Sequence, residues 1–281
     1  MRLTNVAACF FLACLGPGSL ALAAPVSADH VEVELVSENS ALVPGHSAWL
    51  GLRLKHEPGW HTYWINPGDS GLPTKLSWTL PAGFKADPIA WPIPKRFQLG
   101  ELYNFGYELD ALLPVSISVP AGAAIGSTVQ LGVEAKWLVC HEECVPGKAN
   151  LRIDLPLAAK AAPDPRFAAA FAAAHAAQPV KSASKAHARL AGDRVEVVLD
   201  ARDLRRPLTD AFAAQTKVVA NAPPIVAERG GKPLLTFAKS DYFAAAPERF
   251  ELLLLDGSAN AVLIEAPFAP APPSSSSPST P

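Results

Sequence analysis

The chain has 281 residues, 49% of them hydrophobic and 18% charged, with 24 Lys and Arg against 26 Asp and Glu for a formal net charge of −2. This length suits two domains with a sizeable core, the apolar share excludes disorder throughout, and the balanced charge argues against a nucleic-acid binder. Proline is the outlier at 28 residues, about twice the usual share of roughly 5%, which interrupts long helices and excludes an all-α bundle.

Residues 1–23 read as an export signal. Arg2 gives the positive start, Val6 to Leu15 the apolar stretch, and Ala21-Leu22-Ala23 the small-x-small cleavage pattern. Gly16-Pro17-Gly18 breaks the apolar run well short of a membrane span. A competing lipoprotein reading would acylate Cys14. With the leader removed, Cys9 and Cys14 are lost and only Cys140 and Cys144 remain, in an oxidising compartment where two thiols can bridge.

Alternating apolar residues predict strands over His30–Val36, Ala48–Leu54, Leu112–Val119 and Thr128–Val139, with Leu151, Ile153 and Leu155 on a return strand. Pro44-Gly45, Pro58-Gly59, Pro67-Gly68 and Pro146-Gly147 mark turns between them. Asp164-Pro165 reads as N-cap and first helical position of an Ala-rich helix over Arg166–Ala177, stopped by Pro179 and placed between two domains. Strand candidates return at Arg194–Leu199, Lys217–Ala220, Leu234–Ala238, Phe250–Leu255 and Ala261–Glu265. The expected architecture is therefore all-β: two immunoglobulin-like antiparallel β-sandwiches over residues 30–158 and 186–268, joined by a helical linker over 159–185. Residues 269–281 form a Pro/Ser linker expected to stay disordered and to lead into a further module.

The chemistry-bearing motif is Cys140-His141-Glu142-Glu143-Cys144 at the end of the clearest strand. Three intervening residues exclude both a c-type haem site and a thioredoxin motif, each of which needs two. A structural zinc site wants four ligands, and His56 or His61 would have to complete the local set of Cys140, His141 and Cys144. No metal and no cofactor is expected. A structural disulfide and a redox-active pair remain as equal readings, with protonated His141 lowering the thiol pKa values and Glu142 and Glu143 raising them. Asp69, Ser70 and His61 lack a nucleophile elbow, so the Pro-Gly-Asp-Ser-Gly stretch reads as a turn, not a hydrolase site. Arg205-Arg206 and Asp241-Tyr242-Phe243 read as solvated loops, and His175 and His187 as scattered.

A family resemblance runs through several segments. Gly59-Trp60-His61-Thr62-Tyr63-Trp64, Asn66-Pro67-Gly68-Asp69-Ser70-Gly71-Leu72-Pro73, Gly100-Glu101-Leu102-Tyr103, Leu113-Pro114-Val115-Ser116-Ile117 and Trp137-Leu138-Val139-Cys140 with Cys144-Val145-Pro146 together resemble the periplasmic amino-terminal domain of the DsbD/ScsB thiol:disulfide reductases. The resemblance covers about residues 30–158, nearer the ScsB-like branch because the gap between the cysteines is short. It implies a protein-disulfide reductase component in the periplasm, with Cys140 and Cys144 as the redox pair. Electrons would come from a membrane-embedded thiol reductase domain and go to periplasmic disulfide or thioredoxin-like proteins, with no nucleic-acid partner. Glu101, Leu102 and Tyr103 match the family's cap loop over the disulfide, and Trp60, Tyr63 and His141 would surround the pair. Ordinary sandwich core is the competing reading for Trp60 and Tyr63. A non-catalytic binding or adaptor module with a structural disulfide is the alternative function; copper tolerance, cytochrome c biogenesis and disulfide repair stay open as settings.

Overall fold

The computed structural model of the protein describes residues 25–200, 207–257 and 261–269. The segment expected to be an export signal, with Cys9 and Cys14, the Arg205-Arg206 pair and the Pro/Ser tail beyond residue 269 lie outside the described residues.

The amino-terminal strands are β1 (Val26–Ala28), β2 (Val31–Ser37), β3 (Ser47–His56), β4 (His61–Gly68), β5 (Lys75–Thr79), β6 (Lys85–Ala86), β7 (Lys95–Leu99), β8 (Leu102–Glu108), β9 (Asp110–Ser118), β10 (Thr128–Cys140) and β11 (Cys144–Pro156). They form one sheet ordered β1-β2-β3-β9-β6 and a second ordered β11-β10-β4-β8-β7, with β5 also paired to β10. After α1 (Ala168–Ala176) come β12 (Val180–Lys181), β13 (Ala186–Ala191), β14 (Arg194–Leu199), β15 (Asp210–Ala213), β16 (Ile225–Arg229), β17 (Lys232–Ala238), β18 (Arg249–Leu255) and β19 (Ala261–Pro267). These build two further sheets, β12-β19-β18-β15 and β13-β14-β17-β16. The fold is all-β and immunoglobulin-like.

Alternation explains the long strands. Along β10, Leu131, Val133, Ala135, Trp137 and Val139 are buried while Gln130 and Lys136 face solvent, as a sheet with one face on the core requires. Leu50, Leu52, Leu113 and Ile117 supply the opposing layer, each at most 1% exposed. In the second pair of sheets, Val195, Val197, Leu235, Phe250 and Leu252 do the same.

Two local expectations change. Lys217–Ala220 is not a strand: Lys217 sits at a positive φ of 64°, which breaks extended backbone, and only Val219 bridges to Lys239. The helix starts later than Asp164 suggests, with Phe167 at the N-cap. The Asp164 carboxylate is occupied by the backbone N–H and guanidinium of Arg166, so it closes a turn ahead of the helix. α1 packs Phe171 and Ala174 against Val36 and Leu112 of the first sandwich, and His175 bonds Glu38 at 3.0 Å.

The two halves share an apolar contact. Phe212 of β15 is 2% exposed and belongs to the same buried cluster as Trp64 and Phe105, with ring centroids 6.3 and 5.0 Å away in edge-to-face geometry. Asn66 donates from Nδ2 to the Ala213 carbonyl at 2.8 Å.

Candidate functional site

Strands β10 and β11 form a hairpin whose last register pair is Cys140 with Cys144, leaving His141, Glu142 and Glu143 as the connection. The two cysteines are joined as a disulfide. Their surroundings differ sharply: Cys140 is 1% exposed, whereas Cys144 is exposed. By alternation Cys140 points away from the core face that Val139 occupies, so its burial needs a cover on the outer face of the sheet.

That cover comes from β4 and the segment after it. Cys140 pairs with His61, and residues directly opposite on antiparallel strands share a face. Two residues on, Tyr63 lies on that face too, fully buried, with its hydroxyl 3.8 Å from Cys144 Sγ. Burial pushes the Tyr63 phenol up to about 12, against a side-chain hydrogen bond from Ser70, so it is a neutral donor at any physiological pH. Gly71 makes room for this ring: a Cβ there, at a φ of +101°, would lie 2.3 Å from Tyr63 Cε1 and Cζ.

The segment holding Ser70 is fixed by the hairpin β7–β8. Asn104 Oδ1 accepts from the Ser70 N–H at 3.1 Å while its Nδ2 donates to Ser70 Oγ at 2.9 Å. Asp69 and Tyr103 exchange bonds: Asp69 N–H donates to the Tyr103 carbonyl at 2.9 Å, and Tyr103 N–H to Asp69 Oδ2 at 2.8 Å. The expected cap loop is thus a two-residue hairpin tip at Gly100-Glu101, flanked by the pair Leu99 and Leu102. Leu102 and Tyr103 are strand residues, and β8 is tied through Tyr103 and Asn104 to Asp69 and Ser70, the segment beside Tyr63. Leu72, Leu99 and Leu102 are exposed apolar side chains on this rim, at 61%, 42% and 47%.

On the far side of the connection, Trp60 stacks on His30 at 3.6 Å with the planes 5° apart, and its ring centroid is 5.9 Å from that of His141. Gly59 abuts the same imidazole, for a Cβ there would be 2.9 Å from His141 Cδ2. Tyr63 thus reaches Cys144 directly, while Trp60 reaches the connection between the cysteines through the His141 ring. Glu101 is exposed at the hairpin tip.

His61, weighed from sequence only as a metal ligand or a hydrolase partner, is a further neighbour of the pair. It is 3% exposed, stacked on Phe97 at 4.5 Å and edge-on to Tyr63 at 5.1 Å. Its Nε2 has no partner. Burial first, and then the nearby His56, hold its pKa down to about 4. The available signal was parity with Tyr63 in the run His61-Thr62-Tyr63. His56 is not free to ligate a metal, because its Nδ1–H donates to the Leu109 carbonyl at 3.0 Å and its Nε2 accepts from the Thr62 hydroxyl at 3.0 Å. Among the described residues no group of three or more His, Cys, Asp or Glu is placed to hold a metal ion, and no helix is long and apolar enough to cross a membrane.

Comparison with known proteins agrees with this geometry. Residues 32–156 match the family of the thiol:disulfide interchange protein DsbD, N-terminal. No curated protein sequence matches the chain. Among solved structures, the N-terminal periplasmic domain of ScsB from Proteus mirabilis is similar with a TM-score of 0.66 at 17% identity, covering 89% of this chain and 99% of that one. The major pilin subunit BcpA of Bacillus cereus reaches a TM-score of 0.27 at 8% identity over 79% of this chain and 60% of its own. The described strands, the bonded cysteine pair and the match over residues 32–156 identify this part of the chain as an amino-terminal domain of the DsbD family of thiol:disulfide interchange proteins.

Proposed function

We propose that the protein carries reducing equivalents in the periplasm, receiving them from a membrane-embedded thiol reductase and passing them to disulfides of periplasmic proteins through Cys140 and Cys144. The observation that carries this reading is the unequal exposure of the two sulfurs: Cys140 is 1% exposed and Cys144 exposed. An incoming thiolate reaches Cys144, forms a mixed disulfide with it, and expels Cys140 with the electron pair of the broken bond. A second thiol of the donor then attacks the mixed disulfide and releases Cys144, so the donor is oxidised and the pair reduced by two electrons. Transfer onward runs the same steps in reverse, with Cys144 attacking and Cys140 resolving.

The surroundings support the assignment. Glu101, Leu102 and Tyr103 form a cap hairpin that holds the Asp69–Gly71 segment over Tyr63, and its exposed leucines offer a partner an apolar landing surface. Trp60 and His141 fix the connection between the cysteines from the other side. The experiment presents the reduced protein to an oxidised thioredoxin-fold protein and traps thiols by alkylation. Transfer of two electrons, with a mixed disulfide at Cys144 when Cys140→Ser is used, is expected. Failure of the wild type to pass electrons contradicts the reading.

A further inference from the structure

Cys144, Cys140, His61 and Glu108 occupy successive register positions across β11, β10, β4 and β8. Side chains at directly opposite positions share one face with Cβ atoms about 4.5–5.5 Å apart, so the His61 imidazole is the immediate neighbour of Cys140 on the side away from Cys144. Its slot is closed by Phe97 and Tyr63. Its Nε2 is buried with no acceptor or donor in the disulfide state. A buried unpaired polar atom is costly and calls for an explanation.

Resting on the exchange reading above, we infer that His61 is a catalytic residue of the exchange reaction: its Nε2–H donates a hydrogen bond to the Cys140 thiolate expelled when the disulfide is attacked. The imidazole keeps its proton throughout. The electron pair of the broken S–S bond stays on Cys140 Sγ, the new bond forms between the partner sulfur and Cys144, and the His61 N–H stabilises the negative charge that develops on the neighbouring strand. Charge on a leaving sulfur is where such a donor has most effect, since a thiol of lower pKa leaves faster. The other groups facing His61 fit a neutral donor. His56 and His141 carry like charge when protonated and disfavour an imidazolium, while Glu108, which alone favours one, is engaged by Lys95 at 2.6 Å. Tyr63 stays protonated and serves Cys144, not Cys140.

The test uses His61→Phe, which keeps an aromatic ring between Phe97 and Tyr63 but removes the N–H, and His61→Gln, which keeps a donor. Each is combined with Cys144→Ser, and alkylation at Cys140 is followed against pH by peptide mass spectrometry. His61→Phe is expected to leave about tenfold less thiolate at Cys140 at pH values below its thiol pKa, and in the protein with both cysteines to favour the disulfide about tenfold at pH values above it, or about 30 mV more reducing. His61→Gln should recover part of both effects. An unchanged thiol pKa at Cys140 in folded His61→Phe overturns the inference, and unfolding of that variant leaves the same decision to His61→Gln against His61→Leu. The exchange reading fails separately, if the wild-type pair resists glutathione buffers whatever the Cys140 thiol pKa.

Discussion

Arg96 of the cap hairpin forms a two-point ion pair with Asp210 of the second sandwich, Nε to Oδ2 at 3.1 Å and Nη2 to Oδ1 at 2.8 Å. Its guanidinium lies between two rings, 4.8 Å from the centroid of Phe105 and 4.6 Å from that of Phe212. It also donates to the carbonyls of Ala211 and Asn221. Nearer the tip, Asp69 accepts from Tyr103 N–H with one oxygen and from Asn221 Nδ2 with the other, both at 2.8 Å. The second sandwich thus holds the hairpin that positions the cover of the disulfide.

Arg96→Ala removes the pair, leaves Asp210 without its cation and opens a gap beside Phe212. The cost expected from breaking a largely buried ion pair is about 3 kcal/mol. Urea unfolding should show that loss, and hydrogen exchange should quicken in β7, β8 and β15. Asn221→Ala, which removes a single side-chain bond to Asp69, should cost only about 1 kcal/mol.

Gly71→Ala places a methyl group on the Tyr63 ring at a φ of +101°. Strain and clash together should cost about 2–3 kcal/mol and move the Tyr63 hydroxyl away from Cys144. Faster reduction of the disulfide by a small thiol checks the second effect. Gly100→Ala, at φ +63° with nothing within 4 Å of the added Cβ, is the control: backbone strain of about 1 kcal/mol and no change in reduction rate.

Replacing both Cys140 and Cys144 by Ser should leave the fold intact. Chain entropy for a bridge of sequence separation 4 gives about 2 kcal/mol at most. A melting experiment showing a much larger loss would make the bridge structural.

Acid should weaken the domain through His61. Its folded pKa of about 4 lies below the unfolded value of about 6.5, so the unfolded chain binds the proton first. The stabilising contribution is complete above pH 6.5 and is lost as pH falls toward 4, at up to about 1.4 kcal/mol per pH unit. His56, lowered chiefly by burial, acts in the same direction. Urea midpoints at pH 7 and pH 5 should fall apart in the wild type and draw closer in His61→Phe.

Strands with one face on the core were legible from sequence: β14 spans Arg194–Leu199 as alternation predicts, and β10 extends the expected run by only Cys140. β4 was not, because His61, Thr62, Tyr63 and Trp64 are buried in succession. Thr62 meets His56 while His61 and Tyr63 lie beneath Phe97 and Gly71, so neither face reads as solvent. The contact between halves was equally hidden, since Arg96 and Asp210 are 114 residues apart and each has an ordinary strand environment. The cysteine pair was visible as a motif. Which sulfur is covered was not, because parity turns Cys140 outward and only the tertiary cover of His61 and Tyr63 buries it.

The reduction potential of the Cys140–Cys144 couple, measured by equilibration with glutathione buffers and thiol trapping, tests the exchange function most directly. A value between about −180 and −270 mV, the range of known exchange proteins, is expected. A value below about −300 mV would mark a bridge that periplasmic partners cannot open, and would contradict the proposed function.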